Sequence, residues 1–402
     1  MKAWHFSENA YPFLPPAEEY PSIRVTLPNR LYDPKKGAEL YDRFLSEWQI
    51  AEEEGLNIML NEHHQTATCV DPAAPLVLAA LARLTSKARL LILGNPIANR
   101  RQPVRVAEEM ALIDVLSKGR LEAGFVRGVP TEILPANSNP VRMNERHWEA
   151  LDLIIQAWTS HDGPTSFEGR FFHHRNINIW PRPYQQPHPP VWVSTTSTGG
   201  AGQVGQHGFV QATFLTGFKG TPAIYDSYRK GWRQAGKGQD IPVNRLAYAA
   251  MVYVADSDAK ARAGAEKLLW YVTANKVSPW FRNPPGYSPI AANVQMMLGD
   301  AAGGGFGNFG QNTNVDSAVA NGTMFYGTPD RVFEQVKNFY HHVGGFGHLL
   351  LMGQAGFLGH EETVAGIRAF ARDVYPRLQE EFPDDAISGR RDAESAAAAG
   401  TH

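Results

Sequence analysis

Two adjacent histidines, His63 and His64, follow a glutamate in the sequence NEHH, directly after the apolar run LNIML at 56–60. An imidazole titrates near pH ~6.5, which suits general acid or base work. A metal site would need further ligands at converging positions, and no HExxH-type pair is present. Neighbouring residues of a strand point to opposite faces, so we expect only one histidine to enter a site. Proton handling is favoured over metal binding, with a structural role as the other alternative.

Hydroxyl and glycine residues predict an anion site in STTSTGGA at 194–201, where a strand end runs into a helix start. Backbone N–H groups at a helix N-terminus favour a bound negative charge. The plain alternative is an ordinary helix N-cap. Two arginines could add to this site: Arg127, in FVRGVP, and Arg146, in the helix that follows. Their guanidinium donors suit a phosphate or a carboxylate. The alternative is that each is a plain surface residue.

The elements that would position these groups alternate regularly along the chain. Short apolar runs predict eight strands, each followed by a helical pattern, at 2–6, 56–61, 89–94, 120–126, 189–195, 209–215, 246–255 and 348–353. This alternation predicts an α/β protein with the (β/α)8 TIM-barrel fold. The competing open doubly wound sheet would normally carry a glycine-rich turn after an early strand, and none is found there. In a barrel, the strand ends that carry the motifs above meet at one face.

Two segments interrupt the alternation. Residues 163–190 predict a β-hairpin and a proline-rich return before strand five, and residues 278–326 form a long, glycine-rich loop before the last strand. A long loop of this kind suits a lid over an active site. We therefore expect one domain over 1–387, followed by a disordered tail over 388–402.

The composition argues against several classes of function. The 402 residues carry a formal net charge of −2, so no attraction to nucleic acid is indicated. The single cysteine, Cys69, excludes an internal disulfide and a cysteine-rich metal module. The apolar runs are too short to cross a membrane and the first residues lack a signal-peptide pattern, so we expect a cytoplasmic protein.

The run LGNPIANRRQPVRVAEEMALIDVLSKGRLEAGFVRG at 93–128 resembles the bacterial luciferase-like monooxygenase family. Supporting matches are EHH at 62–64, NERHWEALDLI at 144–154, FEGRFF at 167–172 and PRPYQQPHPPVWVSTTS at 181–197. The resemblance covers roughly 35–380. It implies a (β/α)8 barrel that receives reduced FMN from a separate flavin reductase and oxygenates a substrate with O2 through a C4a-(hydro)peroxyflavin. A related branch of the family uses F420 for hydride transfer, and a few relatives bind flavin without catalysis, so both are kept as alternatives.

Matched residue by residue, the resemblance assigns His63 the catalytic role of protonating the flavin–oxygen adduct or acting as general base. It also implies cofactor contacts at a strand-three bulge, where the family often has a non-prolyl cis peptide, at the two arginines and at the phosphate loop. These contacts are Gly94, Asn95, Val126, Arg127, Arg146, Thr195, Ser197, Gly199 and Gly200. Luciferase carries a reactive cysteine where this chain has Val126, so we do not expect light emission.

Aromatic residues near the strand ends and in the long loop predict a dry, mostly apolar pocket. The residues expected to contact the substrate are Phe6, Phe125, Phe218 and Trp280. Such a pocket suits a small, fairly hydrophobic organic molecule, and no resident metal is expected. Family resemblance further implies a homodimer or higher homo-oligomer built through the helices at 72–86 and 103–119.

Overall fold

The computed structural model describes residues 1–278 and 313–389, together with residues 281, 284–288, 290, 291 and 294. Thirteen strands lie in the described residues: β1 Lys2–Ser7, β2 Asn57–Leu60, β3 Leu90–Pro96, β4 Leu121–Val126, β5 Thr165–Glu168, β6 His173–Ile177, β7 Val191–Ser194, β8 Val210–Phe214, β9 Ile241–Pro242, β10 Leu246–Val254, β11 Met324–Gly327, β12 His348–Gln354 and β13 Ile387–Ser388.

Thirteen α-helices accompany these strands in the same described residues. They are α1 Pro34–Glu53, α2 Ala74–Leu84, α3 Pro103–Leu116, α4 Pro130–Ile133, α5 Met143–Thr159, α6 Thr198–His207, α7 Gly217–Gln234, α8 Asp258–Leu268, α9 Trp270–Thr273, α10 Val315–Ala320, α11 Pro329–Val343, α12 His360–Ala369 and α13 Tyr375–Glu381. A π-helical turn over Phe370–Val374 joins the last two.

Eight parallel strands close into a barrel in the order β1–β2–β3–β4–β7–β8–β10–β12, and β12 pairs back onto β1. This confirms the predicted (β/α)8 barrel, and each of the eight predicted strands is present. The predicted hairpin is also confirmed, because β5 and β6 pair antiparallel between α5 and β7. Within the barrel, the carboxyl ends of the parallel strands lie at one face, where the loops that follow them converge.

The predicted boundaries of the long loop and of the tail were wrong. Residues 315–326, assigned to the loop, contain α10 and most of β11, and β11 pairs with Met251–Val254 of β10 outside the closed ring. Ser388, assigned to the tail, is buried in β13, where its hydroxyl donates to the Gly344 carbonyl at 3.0 Å. Both stretches were missed because they are short and pair with distant segments.

Alternation along the strands divides the core into two layers. In β2, Ile58 and Leu60 face the surrounding helices, whereas Met59 faces the barrel interior. In β3, Ile92 faces outward and Leu91 inward. Because both layers are apolar, these strands read as continuous hydrophobic runs in the sequence. The outer layer anchors the helices, and the inner layer fills the barrel beneath the loops.

Helix α1 shows why the helical pattern was readable. Asp33 caps its N-terminus by accepting the Lys35 N–H at 2.9 Å, and Pro34 occupies the first helical position. The helix ends before Gly55, whose φ of +84° lies in the left-handed region that favours glycine. Its inward face is apolar and buried, at Leu40, Phe44, Trp48 and Ala51. Burial of this face fixes the helix beside β1 and β2.

No helix in the part of the chain that the structure describes has the length and apolar character needed to cross a membrane. Among those same residues, His, Cys, Asp and Glu side chains do not gather in threes or more where they could hold a metal ion.

Candidate functional site

The NEHH segment lies in the loop after β2, not in the strand. Strand β2 ends at Leu60, and residues 61–64 follow it without regular structure. We expected strand alternation to point the two histidines to opposite faces, but neither histidine lies in a strand. They are instead separated by their partners, because each imidazole is hydrogen-bonded to a different glutamate.

His63 pairs with Glu132, a residue that the sequence analysis did not select. The Nδ1 atom of His63 lies 3.0 Å from Glu132 Oε1, and the His64 backbone N–H donates to the same oxygen at 3.1 Å. Glu132 comes from α4, which follows β4, and its side chain is buried. Burial alone would raise the pKa of Glu132, but the hydrogen bond and charge of His63 outweigh it and leave that pKa lowered. An ionised carboxylate therefore faces His63 Nδ1.

His64 belongs to a second chain of polar contacts that ends at the predicted cofactor residue Asn95. Its Nε2 lies 3.1 Å from Glu62 Oε1, and Glu62 also forms an ion pair with Arg100. The Arg100 Nε then donates to Asn95 Oδ1 at 3.4 Å. Burial lowers the pKa of His64, but the Glu62 carboxylate outweighs it, and the net shift is upward. These contacts tie the loop after β2 to the end of β3.

Two further buried carboxyls, Glu8 and Asp71, belong to the loops after β1 and β2, and neither was predicted to be part of the site. Glu8 follows β1, and its Oε2 accepts a hydrogen bond from Asn61 Nδ2 at 2.6 Å. Burial raises the pKa of Glu8, against the opposing charge of His63. Asp71 closes the loop, and burial with the charge of Glu62 raises its pKa to about 7. Single acidic residues outside any motif gave no signal in the sequence.

The bulge at the end of β3 has the predicted non-prolyl cis peptide, between Leu93 and Gly94. A Cβ on Gly94 would lie 2.7 Å from a methyl carbon of Val126 on β4, so this close approach requires glycine. Next to it, Asn95 is fully buried, and its Nδ2 has no hydrogen-bond partner among the described residues. The buried Thr131 Oγ1 is likewise unpartnered within that part of the chain. Unpaired buried polar atoms of this kind fit a ligand with its own hydrogen-bonding groups.

The two predicted arginines lie near this edge, but both are already engaged. The Arg127 guanidinium lies over the Tyr287 ring at 3.9 Å, and the Tyr287 hydroxyl donates to the Gly128 carbonyl at 2.9 Å. Arg146 donates to the carbonyls of Ala98 and Arg100, each at 2.9 Å, and packs over the Phe172 ring. Arg146 therefore holds the turn after β3 in place, which its spacing in the sequence did not indicate.

The predicted anion loop is open. Ser197 caps α6, because its hydroxyl oxygen accepts the Gly200 N–H at 3.2 Å. The hydroxyl oxygens of Thr195 and Ser197 lie 3.2 Å apart. A Cβ on Gly199 would meet no atom of the described residues within 4 Å, so among these residues there is space for a ligand directly beside the first turn of the helix. A Cβ on Gly200 would instead lie 2.6 Å from Thr195 Oγ1. The loop therefore presents backbone N–H groups and hydroxyls to solvent.

The four residues predicted to contact substrate lie in different places. Phe6 faces the barrel interior, with its ring edge-on to Phe214 at a centroid distance of 6.3 Å. Alternation along β4 points Phe125 outward against Trp158. Phe218, in the first turn of α7, packs against the outer layer, where its ring neighbours are Phe339 and His342. Substrate contact by these two residues stays a prediction. Trp280 lies outside the described residues.

Comparison with known proteins gives the family. The family model for the luciferase-like monooxygenases matches residues 24–345, so the chain belongs to that family. The match includes the loops after β2, β3, β4 and β7 described above.

Two curated relatives are named for the reactions they catalyse. The chain is 29% identical over 297 residues to the oxygenase component of a flavin-dependent trigonelline monooxygenase from Acinetobacter baylyi, covering 68% of this chain and 80% of that protein. It is 26% identical over 351 residues to an FMNH2-dependent dimethylsulfone monooxygenase from Pseudomonas putida, covering 85% and 88% respectively.

Solved structures share the fold. The monooxygenase RslO1 from Streptomyces bottropensis superposes with a TM-score of 0.71 at 22% identity, over 94% of this chain and all of the other. An F420-dependent secondary alcohol dehydrogenase superposes with a TM-score of 0.65 at 16% identity, over 93% and 98% respectively. At these identities the likeness shows a common barrel and nothing finer.

Proposed function

We propose that the protein is a monooxygenase that uses reduced FMN and O2 to oxygenate a small organic molecule. Family membership supports the class of reaction. The observation that carries the proposal is the pairing of His63 with the buried Glu132 at 3.0 Å, beside the end of β3 where Asn95 has an unpaired amide nitrogen. The pair can exchange a proton, and the unpartnered amide N–H can donate a hydrogen bond to a bound ring system.

The residues at the strand ends fit FMN. The exposed first turn of α6, with Ser197 and the open space beside Gly199, would hold the phosphate. Asn95 Nδ2 would donate to an acceptor on the ring system, and Arg127 lies at the end of β4 between these two regions. When bound, reduced FMN supplies the two electrons and the reactive carbon that O2 oxygenation needs.

The chain itself supplies proton control. Because Glu132 is ionised, it accepts the Nδ1–H of His63 and fixes the orientation of the ring. The other ring nitrogen, Nε2, then exchanges the proton with the reacting groups. The buried Phe6 ring and the partly buried Phe214 ring exclude water from the barrel interior beneath the loops and leave apolar walls for the substrate.

Two partners follow from this proposal. A separate flavin reductase would supply the reduced cofactor, as the designation of one relative as an oxygenase component suggests. A second copy of the chain would cover apolar side chains exposed on α2 and α3. These are Leu76, Leu84, Leu112, Val115 and Leu116. Exposed large apolar side chains on two neighbouring helices suit a protein contact, so we propose a homodimer through these helices.

Reoxidation of the reduced flavin tests the proposal. Reduced FMN is mixed with a stoichiometric amount of protein in aerated buffer, and the appearance of oxidised FMN is followed by absorbance. We expect a lag before oxidised FMN appears, because a dry site retards loss of H2O2. Identical traces with and without a protein shown to bind the flavin would contradict oxygen activation and favour a flavin-binding barrel without catalysis.

The second candidate is an F420-dependent oxidoreductase, because the family resemblance includes a branch that uses F420 and an F420-dependent alcohol dehydrogenase shares the barrel fold. The same His63–Glu132 pair would serve hydride transfer by exchanging the proton of an alcohol. Loss of F420 fluorescence in titrations with candidate alcohols would support this candidate, and in that case reduced FMN should bind weakly.

A further inference from the structure

Arg127 and Arg146, the two arginines predicted to contact the cofactor, differ in what their guanidinium groups are bonded to. Arg146 donates to the carbonyls of Ala98 and Arg100, each at 2.9 Å. Arg127 is partly exposed, and in the described part of the chain its guanidinium has no carboxylate or carbonyl partner and contacts only Tyr287. Because a guanidinium carries several N–H donors, most of those on Arg127 are available to a ligand.

Tyr287, which the sequence analysis did not select, holds this turn at two points. The central carbon of the Arg127 guanidinium lies 3.9 Å from the centroid of the Tyr287 ring, within the range of a cation–π contact. The Tyr287 hydroxyl donates to the carbonyl of Gly128, the next residue along the chain, at 2.9 Å. The ring contact acts on the arginine side chain and the hydroxyl on the backbone, so both are restricted.

The Tyr287 ring is itself anchored beside the strand-three bulge. It packs against a small buried cluster of Ala98, Ile133 and Met143. These three residues belong to the turn after β3, to α4 and to the start of α5. The ring is therefore fixed to the elements around the bulge that is proposed to hold the flavin, and it carries Arg127 with it.

From these contacts we propose that Tyr287 is a positioning residue, which holds Arg127 ready to bind the phosphate of the cofactor together with the first turn of α6. The inference rests on the proposed function for the identity of that cofactor as FMN. An arginine side chain loses rotamer freedom when it binds a ligand, and the ring imposes this loss before the ligand arrives. The face of the guanidinium stays on the ring, while the N–H groups at its edges donate to the phosphate oxygens.

The alternative is that Tyr287 only packs the segment that carries it, and a double-mutant cycle separates the two roles. The cycle consists of Tyr287→Leu, Arg127→Gln and the two together, because a residue that acts through Arg127 has no effect once Arg127 is gone. Tyr287→Phe keeps the ring and loses the hydroxyl, and it serves as the conservative variant. The matched control is Phe333→Leu, which removes a ring 4.1 Å from the Arg377 guanidinium in the outer layer of the core.

The test is an equilibrium titration of the full-length protein with FMN and with riboflavin, which lacks the phosphate, followed by flavin fluorescence. We expect Arg127→Gln to weaken FMN binding about tenfold, Tyr287→Leu about fivefold and Tyr287→Phe about twofold. In the double variant, Tyr287→Leu should add no loss to that of Arg127→Gln. Riboflavin should bind equally to all variants, and Phe333→Leu should bind FMN as the wild type does.

Additive losses in the double variant, equal losses for FMN and riboflavin, or FMN binding that Tyr287→Leu leaves unchanged or tightens would overturn the proposal. Tyr287→Phe provides the comparison if Tyr287→Leu does not fold. The cycle measures binding alone, so a non-additive result in a protein that does not delay reoxidation of reduced FMN would reject the proposed function and leave the positioning role standing.

A wild type that binds no FMN would reject the proposed function, and inorganic phosphate then becomes the probe. The rise in Tm that phosphate produces should be smaller in Arg127→Gln and in Tyr287→Leu, and no smaller in the double variant than in Arg127→Gln. A rise in Tm that is the same in all of these proteins, or no rise in the wild type, would overturn the role of Tyr287 as well.

Discussion

The histidine loop, residues 61–71, and the glycine loop, residues 195–200, lie at the same face of the barrel and are built in opposite ways. In the histidine loop, both imidazoles are paired with glutamates, and the acidic side chains around them are buried. In the glycine loop, hydroxyls and backbone N–H groups are exposed, and no described residue fills the space beside Gly199. The first loop is organised by its own side chains to control protons, and the second is left open for an anion.

The largest effect is expected from His63→Ala in the histidine loop. Loss of the imidazole removes proton exchange at the site and should lower turnover ~10²-fold or more, the range usual for a general acid–base group. Affinity for FMN should change little. Turnover is measured with a supplied reductase, and flavin affinity by fluorescence quenching. Near-wild-type turnover would remove His63 from the chemistry.

Glu132→Gln should have a smaller effect, about tenfold on kcat, because the imidazole remains but loses its ionised partner. KM should stay close to the wild-type value, and the pH–rate profile should move to lower pH, since the negative charge beside His63 is gone. Glu132→Asp should recover part of the rate. A change in KM alone, with the profile unmoved, would show that Glu132 only shapes the binding pocket.

In the glycine loop, Gly200→Ala should weaken FMN binding about tenfold, equivalent to ~1.4 kcal/mol. The added Cβ would lie 2.6 Å from Thr195 Oγ1 and disturb the cradle at the start of α6. Riboflavin, which lacks the phosphate, should bind to wild type and variant alike. Equal losses for FMN and riboflavin would place the phosphate elsewhere.

The smallest effect concerns stability and returns to the histidine loop. Asp71 has a pKa of about 7 in the folded protein, against 3.8 for an unperturbed group, so the native state holds the proton more tightly than the unfolded chain. Its stabilising contribution is complete below pH 3.8 and is lost as the pH rises to about 7. The Tm of Asp71→Asn minus that of the wild type should therefore rise as the pH increases from 3.8 to about 7. A constant difference in Tm at all pH values would show that Asp71 does not titrate there.

The sequence predicted the barrel and the strand-three bulge because both depend on local patterns. Alternating apolar runs and helix signals repeat eight times, and motif matches fall at strand ends. Glu132 and Glu8 escaped prediction because they are 69 and 55 positions from His63 in the sequence, and only the side-by-side pairing of β1, β2, β3 and β4 brings their loops to the same edge. The sequence also did not show that Phe125 and Phe218 lie in the outer layer of the core, since strand register decides this for Phe125 and the packing of α7 decides it for Phe218.

The most direct test is an anaerobic equilibrium titration of the purified protein with reduced FMN and, separately, with reduced F420. If the glycine loop holds the phosphate of FMN beside the histidine loop, reduced FMN should bind more tightly than reduced F420, and Gly200→Ala should weaken binding of reduced FMN. Tighter binding of F420, or no binding of either flavin, would contradict the assignment of this barrel as a reduced-FMN monooxygenase.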